Sequence, residues 1–362
     1  MSTVEEWSRW VAMAVGMEAS DVHLSSGMPP MMRVLGELQP MMSRELTASE
    51  IMELCEDLLS LPQWEQFVAR GDVDAAVQHS EAVRVRLHVY RMRGAPCLAA
   101  RIIVGKPDSI ASLGLPEVTR QLIHQKQGLI LVVGPTGSGK STTLGAFVHE
   151  LNRTKPIHIV TLEDPVEKLH PSEKALVHQR EIGIDTPTFF DGLRAALRQD
   201  PDVIVIGEMR DNDTISTALA AAETGHLVLG TLHTSNAALS IDRLIDCFPG
   251  EMQQHIRTQL ASVLVGVVAQ RLVRRRCEKG MVGIFEVLVN IPSVAHSIRA
   301  GRTYQLPGIM LTGRAEGMVT FAQAFADAAM NGLIDNDQVQ AHSDIVLEGV
   351  SLSNGASHRK VN

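Results

Sequence analysis

Gly134-Pro135-Thr136-Gly137-Ser138-Gly139-Lys140-Ser141 narrows the possible folds of this chain more than any other segment. It fits GxxxxGK[ST] in full, follows the apolar run 130–133 and precedes a helix-forming stretch. Strand, glycine loop and helix in that order make an anion cradle. The glycines let backbone N–H groups turn inward where side chains would clash. A helix starting near Lys140 points its positive end at the anion. Lys140 then reaches β- and γ-phosphates, and the Ser141 hydroxyl is placed to ligate Mg²⁺. No NKxD element is present to read guanine, so the expected nucleotide is ATP.

The surrounding pattern agrees with such a loop. Residues 130–133, 158–162, 203–206 and 227–232 are short apolar runs, each separated from the next by enough chain for a helix. That spacing predicts an α/β domain with a mostly parallel, covered sheet. Earlier in the chain, residues 50–59 carry apolar side chains at helical spacing. Residues 82–90 alternate, with Val83, Val85, Leu87 and Val89 on one face and Arg84, Arg86 and His88 on the other, as in a half-buried strand. The turn formers of GKPDSIASLGLPE read as a linker. The expected organisation is an N-terminal domain over 1–104, a linker over 105–115, the nucleotide domain over 116–340 and a flexible tail over 341–362. Residues 253–276 read as one long helix, its C-terminus capped by Arg271, Arg274, Arg275 and Arg276.

Composition bounds the partners. A net charge of -8 argues against a protein that coats nucleic acid, and stacking aromatics are scarce. The N-terminus MSTVEEWSRW is acidic and polar, so no signal peptide is expected. The longest apolar runs fall short of the roughly 20 residues that a membrane span needs. Cys55, Cys97, Cys247 and Cys277 stand singly, which predicts reduced thiols and no zinc site.

A phosphate loop needs partners to hydrolyse anything. Asp202-Val203-Ile204-Val205-Ile206-Gly207-Glu208 is an apolar strand with a carboxylate just past its end. Gly207 stands where an Asp usually terminates such a strand, and Glu208 becomes the candidate base for the attacking water. Thr161-Leu162-Glu163-Asp164-Pro165-Val166-Glu167 ends a second strand in acid. Carboxylates at the carboxyl ends of parallel strands face the ligand crevice, so Glu163 or Asp164 could hold Mg²⁺ through water. His226 and His233 bracket the strand 227–232. They are badly spaced to ligate one metal, but a Thr and a His at a strand end can sense a γ-phosphate.

GPTGSGKSTT, VTLEDPVE, DPDVIVIGEMRD and AAETGHLVLGTLHT together resemble, in order and spacing, the type II secretion and type IV pilus ATPase superfamily. They match its Walker A, Asp box, atypical Walker B and His box. ASDVHLSSGMPPMMRVLGEL, IDRLIDCFP and QRLV extend the resemblance over most of the chain. The resemblance implies an N-terminal PAS-like α+β domain followed by a RecA-like P-loop domain, assembled as a homohexamer. It implies that Gly134 to Ser141 and Thr142 bind ATP and that Glu163 and Glu208 are catalytic carboxylates. The His-box residues map to His226 and His233, and arginines of the first domain, here Arg84 and Arg86, reach the phosphates. Arg210 and Arg243 are open between nucleotide contact and structural ion pair.

The family divides by architecture. Assembly and type II secretion members usually carry a further N-terminal domain and often a tetracysteine insertion. Here ASDVHL begins at residue 19 and no Cys cluster exists, which points to the compact retraction type, PilT-like. The implied role is a cytoplasmic motor that retracts a type IV pilus in twitching motility, seated on an inner-membrane platform protein. The alternative is the motor of a dedicated secretion apparatus. One departure stands out: the AIRNLIR-like element corresponds to Ser293-Val294-Ala295-His296-Ser297-Ile298-Arg299, where only Ile298 and Arg299 clearly agree.

Overall fold

A computed structural model describes residues 3–80, 83–104, 108–276 and 280–341. Residue 82 of the expected strand, residues 105–107 of the expected linker, Cys277 and the tail from 342 lie outside them. The chain divides into two compact units, Met1–Lys106 with Glu167–Pro171, and Pro107–Val166 with Ser172–Asn362.

The first unit runs α1 (Thr3–Gly16), β1 (Asp21–Ser25), β2 (Met31–Val34), β3 (Glu37–Pro40), α2 (Ala48–Leu58), α3 (Leu61–Arg70), β4 (Asp72–Ser80), β5 (Val83–Met92) and β6 (Ala95–Val104). Its six strands form an antiparallel sheet in the order β3-β2-β1-β6-β5-β4. Trp7, Trp10 and Val11 of α1 and Ile51 and Leu54 of α2 form one core with Val22, Leu24, Val85 and Leu87. The alternation along β5 holds: Val83, Val85, Leu87 and Val89 are buried, while Arg84 and Arg86 are half-buried on the other face.

The second unit runs α4 (Val118–Ile123), β7 (Gly128–Val133), α5 (Lys140–Thr154), β8 (His158–Glu163), β9 (Leu176–Glu181), α6 (Phe189–Ala196), β10 (Val203–Ile206), α7 (Asn212–Glu223), β11 (Leu227–Leu232), α8 (Ala237–Asp246), α9 (Gly250–Val263), β12 (Leu264–Arg274), β13 (Met281–Val289), α10 (Pro292–Arg299), α11 (Leu306–Thr312), α12 (Phe321–Met330) and α13 (Asn336–Ala341). The sheet order is β13-β12-β7-β11-β10-β8-β9. All pairs from β12 to β9 are parallel, and β13 is antiparallel to β12. Every residue of β7, β10 and β11 is buried, as helices on both faces require. Side-chain oxygens of Thr188, Asp211 and Asn236 cap α6, α7 and α8, so the chain leaves each strand through a short turn into a helix.

The expected single helix over 253–276 is corrected here. The helix α9 stops at Val263, and the chain continues as the eleven-residue strand β12. β-branched valines at 263, 265, 267, 268 and 273 favour a pleated, packed surface. Gly266 allows close pairing, since a Cβ there would stand 2.8 Å from the Leu288 carbonyl oxygen. Arg271 and Arg274 therefore belong to a strand, and the basic cluster caps no helix.

Glu286 of β13 ties this edge to two helices. Its Oε1 accepts the Ala237 N–H at the start of α8 (2.9 Å), and its Oε2 accepts the Phe321 N–H at the start of α12 (3.2 Å). One buried carboxylate thus satisfies orphan donors of two helix N-termini. Burial pushes its pKa above the usual carboxylate range, against the pull of both N–H donors and of Arg271. Glu286→Gln should lower stability by ~1–3 kcal/mol, because the amide N–H₂ must face one of the two backbone donors. Because the folded pKa is raised, the wild type should also lose stability as pH climbs through it, and the variant should lack that slope. Denaturant titrations across pH check both.

Candidate active site

The sheet sets the stage before any catalytic side chain is considered. β7, β11, β10 and β8 are parallel neighbours, so the residues following their last positions gather along one edge. The glycine loop follows β7, His233 follows β11, Glu208 follows β10 and Glu163 closes β8.

The loop is packed as tightly as its glycines suggest. A Cβ on Gly134 would lie 2.4 Å from Ser138 Oγ and 2.5 Å from the Gln270 carbonyl oxygen. Gly139 caps α5 in the left-handed region at φ +88, a conformation that L side chains rarely adopt. Lys140 is buried at the first turn of α5 and donates to the carbonyls of Gly134 (2.9 Å) and Pro135 (3.1 Å). Ser141 and Thr142 follow it, exposed and half-buried.

His233 joins this loop to the carboxylate. Its Nδ1 lies 3.4 Å from Lys140 Nζ and 3.4 Å from Thr136 Oγ1, and its Nε2 lies 3.1 Å from Glu208 Oε1. Nδ1 thus faces the ammonium and Nε2 faces the carboxylate. Glu208 also pairs with Arg210, which resolves that arginine as an ion-pair partner of the candidate base. Burial pushes the Glu208 pKa upward, but the Arg210 hydrogen bond and the charges of His233 and Arg210 outweigh it and hold the group below its usual range. Glu208 is 19% exposed at its side chain and is a proton acceptor at neutral pH.

The glycine at the end of β10 has a physical reason. A Cβ at Gly207 would meet the Leu162 carbonyl oxygen at 3.0 Å and Glu163 Cα at 3.4 Å. The end of β8 crowds the place where a strand-end Asp would project. Thr231 Oγ1 donates to the Gly207 carbonyl (2.5 Å), so β11 fixes the backbone that carries Glu208. Glu163 Oε1 accepts from Thr161 Oγ1 (2.6 Å) and from Gln179 Nε2 (2.9 Å), while Asp164 is exposed.

Not every expected residue joins this cluster. His226 precedes β11, with Nδ1 3.0 Å from the Ala221 carbonyl, and its own carbonyl accepts the Gly128 N–H at the start of β7. The whole of β11 separates it from His233, about 20 Å at ~3.3 Å per residue. Arg84 and Arg86 lie on β5 of the first unit. Two further residues hold the site, in roles that no sequence pattern discloses. Gln270 is buried on β12 and donates from Nε2 to the Ser138 carbonyl (2.7 Å), bracing the loop from the side. Gln179 steadies Glu163. Gln270 opens the QRLV segment of the resemblance, and its polarity within the apolar run VVAQRLV sets it apart, but neither discloses its contact with the loop.

A parallel sheet with a glycine cradle, a buried lysine and an oriented carboxylate beside it defines a P-loop nucleoside triphosphatase. The chain belongs to the family described as type II/IV secretion system protein, whose model matches residues 5–337. It is 44% identical over 315 residues to the uncharacterized protein YggR of Escherichia coli K12, covering 87% of this chain and 95% of that one. It is 38% identical over 335 residues to the type IV pilus retraction ATPase PilT of Pseudomonas aeruginosa, covering 92% and 97%. A crystal structure of the pilus retraction motor PilT with bound ADP superposes with a TM-score of 0.83 at 37% identity, covering 92% and 95% of the two chains.

Proposed function

We propose that this chain is an ATP-hydrolysing motor that drives retraction of a type IV pilus. The continuous path Lys140–His233–Glu208 carries the reading, on a chain related over most of its length to a retraction motor. Residues 134–142 hold the triphosphate, with Lys140 turned onto the β- and γ-phosphates. Glu208 orients the attacking water and takes its proton. His233 lies between base and lysine, so loss of the γ-phosphate alters both of its hydrogen bonds at once.

The donor set near the loop suits Mg²⁺. Ser141, Glu163 and Asp164 offer only oxygens, and this ion keeps several waters and takes one or two carboxylates besides the phosphates. The carboxylate of Glu163 is held by Thr161 and Gln179, which favours an ordered water on the ion over free swinging. When bound, Mg²⁺ neutralises charge that develops on the phosphoryl oxygens.

The proposed working unit is a homohexamer in the cytoplasm, docked on the inner-membrane platform of the pilus machinery. No helix among the described residues is long and apolar enough to cross a membrane, so that docking would be peripheral. In such a ring Arg84 and Arg86 supply cations to the phosphates, and His226 serves away from Lys140. Deleting the gene should give over-piliated cells that do not retract their pili, restored by the wild type and not by a Lys140→Ala copy. Normal retraction with loss of a secreted protein would instead identify a secretion motor.

A further inference from the structure

Glu286 is a buried carboxylate that the catalytic cluster does not use. It stands opposite Ala269 of β12, one residue from the Gln270 that braces the phosphate loop. Its two bonds end on the first residues of α8 and α12, Ala237 and Phe321. Both residues are buried, so neither N–H can turn to water if its bond to Glu286 is lost. The two oxygens of a carboxylate are fixed relative to each other. A displacement of Ala237 therefore either carries the carboxylate with it or leaves a buried donor unbonded.

The start of α8 is in turn tied to His233. Only Thr234, Ser235 and Asn236 lie between His233 and Ala237. Within that link Thr234 Oγ1 stands 2.5 Å from Ser240 Oγ, and Ser240 Oγ donates to the Asn236 carbonyl (2.7 Å). Asn236 Oδ1 accepts the Leu239 N–H (2.9 Å). These bonds close the link onto the first turn of α8, leaving little slack to absorb a movement of His233. A second tether leaves the same helix. Thr303 is buried in the 3₁₀ turn Thr303–Gln305 ahead of α11, and its Oγ1 donates to Asp242 Oδ1 (2.7 Å). The start of α12 is also reached from β12, where the Arg271 guanidinium lies 5.7 Å from the centre of the Phe321 ring.

We propose that α8 is a lever that carries the nucleotide state from His233 to the C-terminal helices, with Glu286 as the positioning residue that hands it to α12. This rests on the reading of His233 above, as the group whose bonds change when the γ-phosphate is lost. His233 shifts with its two partners, the short link moves the start of α8, and the shared carboxylate moves the start of α12. Thr303 passes the same movement to the segment before α11.

The test is hydrogen exchange followed by mass spectrometry, on the full-length protein with Mg²⁺ and either a non-hydrolysable ATP analogue or ADP. In the wild type, amide protection should differ between the two nucleotides over 233–240 and again over 321–325. In Glu286→Gln one of the two backbone donors faces the amide N–H₂, which cuts the link. The difference over 233–240 should remain and that over 321–325 should be lost, with affinity for the analogue kept within about twofold. A role in stability alone would lower the protection of α12 in both nucleotide states and leave the difference between them. Glu286→Asp, one methylene too short to reach both donors at once, should behave as the Gln variant does. A difference over 321–325 that survives in either variant overturns the proposal. So does a wild type in which 233–240 responds and 321–325 does not. A wild type in which neither segment responds overturns the reading of His233 with it.

Discussion

Glu208→Gln is expected to leave ATP bound and to slow its hydrolysis by about 10²–10⁴-fold, the usual range for a lost general base. The substitution is nearly isosteric, so the Thr231 bond to the Gly207 carbonyl should survive and keep the backbone in place. The side-chain oxygen that remains can still accept from His233. What is lost is the charge and the capacity to take a proton. Arg210 and His233 hold Glu208 below the usual carboxylate range, so it stays ionised through the neutral region. An acid limb due to this residue should therefore lie below the ordinary carboxylate pKa, and the rate near neutral pH should be flat with respect to it. Phosphate release measured alongside nucleotide affinity separates the two effects. Turnover within a few-fold of the wild type would remove Glu208 from the role.

Much of this site was legible because each part is local. The loop, the apolar strand before it and the carboxylates at strand ends are short sequence patterns with one physical reading each. β7, β8, β10 and β11 all lie where their apolar runs place them. β12 was not legible. Its valine-rich run continues directly from α9, with Gly266 inside the strand and no turn former at Val263–Leu264, and an apolar segment buried on both faces has no distinguishing period. Only the pairing of β12 with β7 and β13 decides the matter, and β7 lies more than a hundred residues earlier. The role of Gln270 was not legible for the same reason, since it exists only once β12 stands beside the loop. The histidine pair shows a different limit. Sequence brackets the strand with two like residues, but a strand has two ends, and only His233 stands at the carboxyl end with the loop.

Lys140→Ala should abolish hydrolysis and weaken ATP binding by about 10²–10⁴-fold. The ammonium can make two or more charge-assisted bonds to phosphate oxygens, each worth ~1.5–3 kcal/mol. Nζ lies beside the carbonyls of Gly134 and Pro135 and the Nδ1 of His233. The two carbonyls can only accept, so the site suits a cation with several donors. Alanine leaves two carbonyls without that donor and removes the group that His233 Nδ1 faces. The loss should therefore extend to Glu208, which the other nitrogen of the same ring contacts. Lys140→Arg is expected to fail as well. The lysine is buried between the loop and His233, and a planar guanidinium is wider than an ammonium and cannot direct its donors to the same points. Calorimetry with ATP, together with steady-state phosphate release for both variants, measures this. An arginine variant that retained turnover would show that the site asks only for positive charge, and the placement of the Gly134 and Pro135 carbonyls around the ammonium would then lose its claim to matter.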